Sequence, residues 1–391
     1  MADLLTLEAA LEAVLARSAP LPAERVALGE AAGRVLAEPA RALVDLPPFA
    51  SSAMDGFALR SADTPGLLTV VARIAAGSPA ARALRPGEAM GIATGGVVPV
   101  GADAVVPIER VVQQDDEVEI TEAVAQKDNV RPRGGDVRAS AAVVEAGTRI
   151  GAAQVGALAA AGIPEVVCSR RPCVAVLATG SELRLPGATL EPGETYEANG
   201  PMLAAALRAH GADVDRLAPV RDDEDALRDA LARALEADVV VSSGGVSIGP
   251  HDLVRRVASE LGVGEVFWRV AVKPGKPISF GVRGETLVFG LPGNPVSTLV
   301  GFELFVRPAL RALEGERDPG PRFRQATLAR PVRRNDARDE LVRARWRGGA
   351  LEALGGQESH MIVRAAGADA LVLVPRGDGE LVGEVSYLPL G

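Results

Sequence analysis

The sequence predicts a multidomain α/β protein built around one doubly wound sheet, with a helical linker unit, a β insertion and a small C-terminal β unit attached to it. Three observations carry this. From residue 173 onward, strand and helix patterns alternate with short connections, which is how a mainly parallel, doubly wound sheet reads. Ahead of that region, a long extended and turn-rich stretch separates two helical segments, and after Asp318-Pro319-Gly320-Pro321 only strand patterns remain. At ~150 residues per domain, a chain of 391 residues has room for two to three domains.

The elements follow in order. Leu7, Ala10, Leu11, Val14 and Leu15 fall on one helical face, and Pro20 and Pro22 stop that helix. A shorter helical stretch is expected near residues 30–36. From Leu46-Pro47-Pro48 to about Val137 the chain reads as β structure, with runs at 68–74, 103–112 and 117–124. Residues 152–161, closed by Gly162, form a second helix expected to pack on the first. That gives a discontinuous linker unit, 1–43 plus 138–170, interrupted by an insertion at 44–137. Within 171–316 come strand 173–179, helix 201–210, strand 213–218, helix 223–236, strand 238–243 and helix 252–261. Strands near 266–272, 278–282 and 286–290 follow, then a helix at 295–313. The unit 317–391 carries strand patterns at 339–346, 370–375 and 380–388.

Hydrophobic residues at 48% and charged residues at 24% describe a folded globular chain rather than a disordered, collagen-like or disulfide-stapled one. A net charge of -9 argues against general affinity for nucleic acid or an anionic membrane, so an anionic ligand needs a local basic site. The opening MADLLTLEAA carries Asp3 and Glu8 where a signal peptide carries bases, and no apolar run approaches ~18 residues; the cytoplasm is the expected compartment. Cys168 and Cys173 have no second cysteine pair to complete a zinc site and are expected to be buried thiols. Only three lysines stand against 39 arginines, and two of them fall in Lys273-Pro274-Gly275-Lys276-Pro277. A compact ammonium kept in such a background suggests a task that a planar guanidinium does badly.

In an open α/β sheet, ligands bind beyond the carboxyl ends of the strands. Three glycine-bearing loops are expected there: Thr179-Gly180-Ser181-Glu182, the run from Ser243-Gly244-Gly245 to Ser247 and Gly249, and Leu291-Pro292-Gly293-Asn294-Pro295. Glycines let backbone N–H groups approach an anion and serines add donors, so the convergence describes a phosphate cradle with Lys273 and Lys276 nearby. Each loop alone is also an ordinary strand-to-helix turn. Glu182, Asp252, Asp55 and Asp136 are hard oxygen donors suited to magnesium bridging phosphates, although turn chemistry also explains Asp55-Gly56 and Gly135-Asp136, and capping also explains Asp252. His210 precedes a glycine at a helix end, and His251 and His360 have no spacing partner. No Ser-His-Asp set can be assembled, and neither G-x-G-x-x-G nor the Walker pattern is present.

With these residues the sequence resembles the molybdopterin molybdenumtransferase family, the enzymes of the last step of molybdenum cofactor synthesis, which includes the E domain of gephyrin. Seven motifs in order carry the resemblance: Ser52 to Ala58, Thr94-Gly95-Gly96, Arg133 to Asp136, Thr179 to Leu183, Ser242 to Ser247, Lys273 to Pro277 and Leu291 to Ser297. It implies that the central unit is similar to molybdopterin adenylyltransferase. It also implies a homodimer whose site combines the α/β unit of one subunit with the β insertion of the other. The implied reaction takes adenylylated molybdopterin and molybdate, releases AMP with magnesium assisting, and leaves molybdenum on the dithiolene sulfurs. Further partners would be the adenylyltransferase upstream and molybdoenzyme acceptors downstream.

Carried over position by position, the resemblance implies that Ser243, Gly244, Gly245 and Ser247 hold phosphates. Asp55, Glu182 and Asp252 would hold the metal or orient water, and Lys273 and Lys276 would neutralise oxyanions. It adds Thr94, Asp136, Thr179, Gly180, Asp222, Arg269 and Arg343 as contributors, with Pro292, Asn294, Pro295 and Ser297 shaping the pocket. Two segments depart from the family pattern. Gly356-Gln357-Glu358-Ser359-His360 stands where Gly-Gln-Gly-Ser-Gly is frequent, and Tyr196-Glu197-Ala198-Asn199 where Tyr-Asp-Ser-Asn is. Arg269 replaces a common lysine. A non-catalytic scaffold of the gephyrin kind and the adenylyltransferase itself are the alternatives. The latter leaves the insertion and the β tail unexplained.

Overall fold

The computed structural model describes residues 4–245 and 253–390. Val239–Ser243 runs through the middle of the α/β sheet, and its Val239, Val240 and Val241 are wholly inaccessible to solvent. A run of β-branched residues buried on both faces is what a central parallel strand requires. The six-stranded sheet has the order Asp213–Arg216, Cys173–Ala178, Val239–Ser243, Thr286–Leu291, Ser279–Arg283, Gly264–Trp268. The first four strands pair in parallel; Ser279–Arg283 runs against them, joined to Thr286–Leu291 by a tight hairpin with Gly284 at φ 58°, and the edge strand Gly264–Trp268 pairs antiparallel with Ser279–Arg283. Helices α3 (Asn199–His210) and α6 (Pro295–Gly301) put Leu203, Leu207 and Val300 into the core on one face. Helices α4 (Glu224–Ala234) and α5 (Leu253–Glu260) put Leu227, Leu231, Val254 and Val257 into the core on the other. The sheet is therefore doubly wound. Strand order reverses between Cys173–Ala178 and Val239–Ser243, which opens a crevice at their carboxyl ends.

The helix expected over 295–313 has a wide turn in it. Phe302–Val306 is π-helical between α6 and α7 (Arg307–Leu313), and Glu303 accepts two hydrogen bonds from Arg307, at 2.8 and 2.7 Å.

A second six-stranded sheet lies in the insertion, with order Ala104–Pro107, Gly56–Leu59, Glu88–Ile92, Gly66–Ile74, Glu117–Ile120, Val112–Gln114. Alternation works on both of its faces: Phe57 and Leu59 belong to one apolar cluster, and Ala58 with Met90 and Val105 to the other. Gly56 fits there because an added Cβ would lie 1.9 Å from the Val106 carbonyl oxygen.

Three expectations need correction, two of them near the N-terminus and one at Cys173. Residues 30–36 are not helical: Leu28–Glu30 forms a single 3-10 turn, Gly33 at φ 81° ends it, and Val35 and Leu36 bridge to Arg149 and Cys168. Helix α1 (Leu7–Leu15), capped by the Thr6 hydroxyl accepting from the Ala9 N–H at 3.2 Å, does not pack on α2 (Ala152–Ala160). Leu7, Ala10 and Val14 join the α/β core, whereas Leu158 of α2 packs with Val26, Leu36 and Val166. The unit around α2 is closed instead by strand Ala23–Ala27 pairing antiparallel with Glu165–Ser169. Cys168 is buried, but Cys173, first residue of its strand, is exposed.

The last sheet has the order Val272–Lys273, Asp339–Arg347, Ala370–Val374, Glu384–Pro389, Arg324–Thr327. The strand expected over 266–272 is thus split. Gly264–Trp268 stays at the edge of the α/β sheet, the backbone turns at Arg269 with φ 76°, and Val272 and Lys273 pair with Asp339 and Glu340 of the C-terminal sheet.

A buried charge cluster joins three parts of the chain. Glu314, after α7, lies 2.5 Å from Arg149 and 2.9 Å from the Nε2 of His210 at the end of α3. Glu316 meets Arg149 at 3.5 Å, Arg311 at 3.6 Å and Arg322 at 2.5 Å. Burial pushes the Glu314 carboxyl up, but His210 and Arg149 outweigh it and hold the group below the usual carboxylate range. A depressed folded-state value contributes stability that is complete above the unfolded value, about 4.3, and is lost as pH falls through the folded one. Glu314→Gln should cost about 1–3 kcal/mol at neutral pH, because Arg149 loses its nearest carboxylate and keeps only Glu316 at 3.5 Å and the Gly33 carbonyl at 2.7 Å. The variant should also show a shallower loss of stability below pH ~4.5 than the parent. Urea denaturation at a series of pH values measures both.

Candidate functional site

The carboxyl ends of three parallel strands open into a cleft of about 690 Å3. After Cys173–Ala178, Thr179 donates its N–H to the Ser243 carbonyl at 2.9 Å and Gly180 donates to the Val220 carbonyl at 3.0 Å, which turns the chain across the strand end. Ser181 and Asp222 then hold each other. The Ser181 N–H donates to Asp222 Oδ2 at 3.3 Å, and the Asp222 N–H donates to Ser181 Oγ at 3.1 Å. After Val239–Ser243, Gly244 takes φ 95° and Gly245 φ 64°. A Cβ on Gly244 would fall 2.4 Å from the Thr179 carbonyl oxygen, and one on Gly245 would fall 2.5 Å from Val254, so only glycine fits either position. After Thr286–Leu291 comes Pro292-Gly293-Asn294, and Pro295 supplies the fixed φ that begins α6.

A second depression of about 500 Å3 continues from this cleft and shares Pro277, Pro292, Asn294 and His360 with it. Lys273, Lys276, Ser297 and Arg338 form its basic and polar wall, and Gln357, Glu358 and Ser359 of the C-terminal sheet's loop close it. Lys276 is exposed, and Lys273 lies 3.1 Å from Glu340. The Val296 N–H donates to the Ser359 carbonyl at 3.0 Å, which fastens the closing loop to the start of α6.

Thr179, Gly180, Glu182, Asp222, Ser243, Gly244, Gly245, Pro292, Asn294 and Pro295 line the cleft, and Lys273, Lys276 and Ser297 line its continuation. Ser247 and Asp252 fall outside the described residues. Three other candidates, Asp55, Thr94 and Asp136, lie on the insertion and line neither depression. Asp55 Oδ1 accepts from the Thr94 N–H at 2.7 Å, and Asp136 is exposed. Among the described residues, no group of three or more His, Cys, Asp or Glu side chains is arranged to hold a metal. Glu182 and Asp222 share the cleft, and neither is in an ion pair among the described residues; one or two carboxylates plus phosphates are what magnesium takes.

Two expected contacts are placed elsewhere. Arg269 stacks its guanidinium over Trp268, 3.7 Å from the ring centroid, and lines neither depression. Arg343, expected to touch substrate, is fully buried. Its guanidinium donates to the carbonyls of Met361 at 2.8 Å, Gly356 at 2.7 Å and Glu358 at 3.1 Å, and to Gln357 Oε1 at 3.3 Å. Arg343 therefore shapes the loop that closes the second depression from behind. Asn199, Tyr196 and His360 line the cleft and were not anticipated as site residues. The signal for all three was available, since they fall in the two segments that depart from the family pattern.

Three family descriptions match the chain in succession: MoeA N-terminal region (domain I and II) over residues 5–162, probable molybdopterin binding domain over 175–312, and MoeA C-terminal region (domain IV) over 325–386. A three-part architecture of this kind, with the cleft in its middle part, defines the class, and the chain belongs to the MoeA family. The curated relative named molybdopterin molybdenumtransferase 2, from Mycobacterium tuberculosis, is 37% identical over 365 residues, covering 90% of each chain. Molybdopterin molybdenumtransferase from Staphylococcus aureus is 32% identical over 380 residues, 94% of this chain and 91% of the relative. Among solved structures, a molybdopterin biosynthesis MoeA protein from Pyrococcus horikoshii superposes with a TM-score of 0.88 at 28% identity, covering 99% of this chain and 100% of the other.

Arg343→Ala should destabilise the protein by about 2–3 kcal/mol, because it empties a fully buried side-chain site and takes the donor from three part-buried carbonyl oxygens, each worth at most about 1–3 kcal/mol. Thermal denaturation checks this. A wild-type melting temperature combined with lost ligand affinity would make Arg343 a direct contact instead.

Proposed function

We propose that the protein is a molybdopterin molybdenumtransferase: it takes adenylylated molybdopterin and molybdate, breaks the phosphoanhydride with an oxygen from water or molybdate, releases AMP and leaves molybdenum on the dithiolene sulfurs, the displaced molybdate oxygen leaving as water. The observation that carries this reading is the continuity of the two depressions. A glycine-walled cleft sized for a nucleotide-like ligand runs into a smaller basic one, so a phosphoanhydride and a tetrahedral oxyanion can be held side by side.

Each residue's part follows from its chemistry. Gly244 and Gly245 let the phosphates approach the backbone where a side chain would obstruct them, and Ser243 fixes the loop by donating to the Pro292 carbonyl at 3.3 Å. Lys276 supplies an exposed ammonium to the oxyanion. Lys273, already beside Glu340, supplies a partly neutralised one, so the depression attracts molybdate without holding it irreversibly. Magnesium, when bound through Glu182 or Asp222 and the substrate's phosphates, would offset the charge that develops on the departing AMP. The positions of Asp55, Thr94 and Asp136 on the insertion support a homodimer in which these residues complete the partner's site. The cytoplasm, the adenylyltransferase and the molybdoenzyme acceptors complete the proposed setting.

Purified protein given adenylylated molybdopterin, magnesium and molybdate should release AMP in a molybdate-dependent manner; release that ignores molybdate would remove the proposal. Lys273→Ala should lose a charge-assisted contact and about 2–4 kcal/mol of transition-state or ligand stabilisation. Its melting temperature should stay nearly unchanged, since a half-exposed ion pair contributes about 1 kcal/mol or less. For the shared site, inactive Asp55→Asn and inactive Asp252→Asn subunits, once exchanged, should regain part of the activity through hybrid dimers. Proven exchange without regain would show each site to be complete within one chain.

A further inference from the structure

Asn199 opens α3 and stands where two of the glycine loops meet, at Ser243 and Gly293. Its Nδ2 donates to Ser243 Oγ at 2.7 Å and to the Gly293 carbonyl at 2.7 Å. A backbone carbonyl only accepts, so the nitrogen must face Gly293 and the amide cannot be turned over. Both Nδ2 protons are therefore spent. The Oδ1 that remains is buried and has no hydrogen-bond partner among the described residues, although the residue lines the cleft. Thr179 Oγ1 is in the same condition, in a residue only 7% exposed whose backbone N–H is bonded to the Ser243 carbonyl. A hydroxyl can rotate to give or accept a hydrogen bond. The amide oxygen can only accept.

We propose that Asn199 is a specificity-determining residue whose Oδ1 accepts a hydrogen bond from an N–H or O–H group of the substrate. The inference rests on the reading of this cleft as the site of a phosphoanhydride that yields AMP, and it adds which chemistry is recognised there. The two bridging phosphates of a phosphoanhydride are singly charged with no P–OH at neutral pH, so they carry no donor and cannot satisfy Oδ1. A ring amine or a ribose hydroxyl can. An acceptor fixed by two outgoing hydrogen bonds, and already buried and unpaired before a ligand arrives, rewards a ligand that brings a donor, because the bond forms without desolvating the acceptor first; an analogue lacking the donor gains nothing there.

The test must separate this role from the tie that Asn199 makes between loops. Calorimetric binding is measured at neutral pH for the full chain and for Asn199→Ala and Asn199→Asp, with ligands in pairs. AMP against purine riboside 5′-phosphate removes the base amine; AMP against its 2′-deoxy and 3′-deoxy forms removes each hydroxyl; pterin against lumazine removes the pterin amine. The wild-type chain should prefer the donor-bearing member of at least one pair by tenfold or more. Asn199→Ala should reduce that preference to within twofold. Asn199→Asp, which keeps an acceptor oxygen, should retain it while binding all phosphorylated ligands more weakly. If AMP binds but the wild-type chain discriminates within no pair, or the preference survives in Asn199→Ala, the inference falls and the cleft reading stands. Loss of affinity for every ligand by one common factor in both variants would likewise overturn it and leave Asn199 as a tie. Failure of AMP and the other ligands to bind the wild-type chain would remove the inference together with the reading it rests on.

Discussion

After the edge strand Gly264–Trp268 the chain leaves the α/β sheet, and Val272 and Lys273 pair with Asp339 and Glu340 of the C-terminal sheet. The rest of the site depends on this change of sheet. The Ala271 N–H donates to the Leu5 carbonyl at 2.8 Å and the Asp339 N–H donates to the Ala271 carbonyl at 3.1 Å, so the N-terminal segment, the α/β sheet and the C-terminal sheet are joined within three residues. Val272 is wholly buried at the joint, which leaves the lysine segment no register to slip into. Lys273 and Lys276 consequently stand between two sheets. A basic depression forms where otherwise there would be an ordinary edge.

Two further fastenings keep that depression closed. From the C-terminal side, Arg343 gathers the carbonyls of Gly356, Glu358 and Met361 beneath the surface, and its burial pulls the guanidinium below its ordinary value, with Glu358 opposing. From the α/β side, the Val296 N–H holds Ser359. The loop between them is determined by hydrogen bonds at both ends rather than by packing, so His360 can border both depressions while remaining exposed. A side chain as long as arginine serves here because several carbonyls converge from one direction and only a planar, multi-donor group reaches them together.

Farther from the site, the cluster of Arg149, His210, Glu314, Glu316, Arg311 and Arg322 ties the linker unit, the end of α3 and the segment leading to the C-terminal sheet to the end of α7. Buried ions are a poor source of net stability, since desolvation offsets much of their attraction. Their geometry is nonetheless specific: Arg149 satisfies Glu314 and also donates to the Gly33 carbonyl at 2.7 Å in one arrangement of the units. Apolar contacts supply the stability, with each fully buried valine of the central strand contributing about 1.5–3 kcal/mol relative to exposure.

Local chemistry by itself determined the strand-and-helix alternation from residue 173, the glycine loops at the strand ends and the β character of the insertion and tail, because each is a pattern of residues close together in sequence. The lysine pair stood out for the same reason, against a background of arginine. What only the tertiary structure decided involves partners distant in the chain. Leu7, Ala10 and Val14 form an apolar face that any core could take, and the α/β core takes it rather than α2. Arg343 has the residue type of an anion ligand, but the 356–361 loop reaches its guanidinium first. Asn199 stands out in the sequence only as the end of a segment that departs from the family pattern. The meeting of Ser243 and Gly293 in space turns its amide inward and leaves the acceptor oxygen unpaired, because a hydrogen bond is settled by which group arrives, and sequence spacing does not record that for residues 44 and 94 positions away.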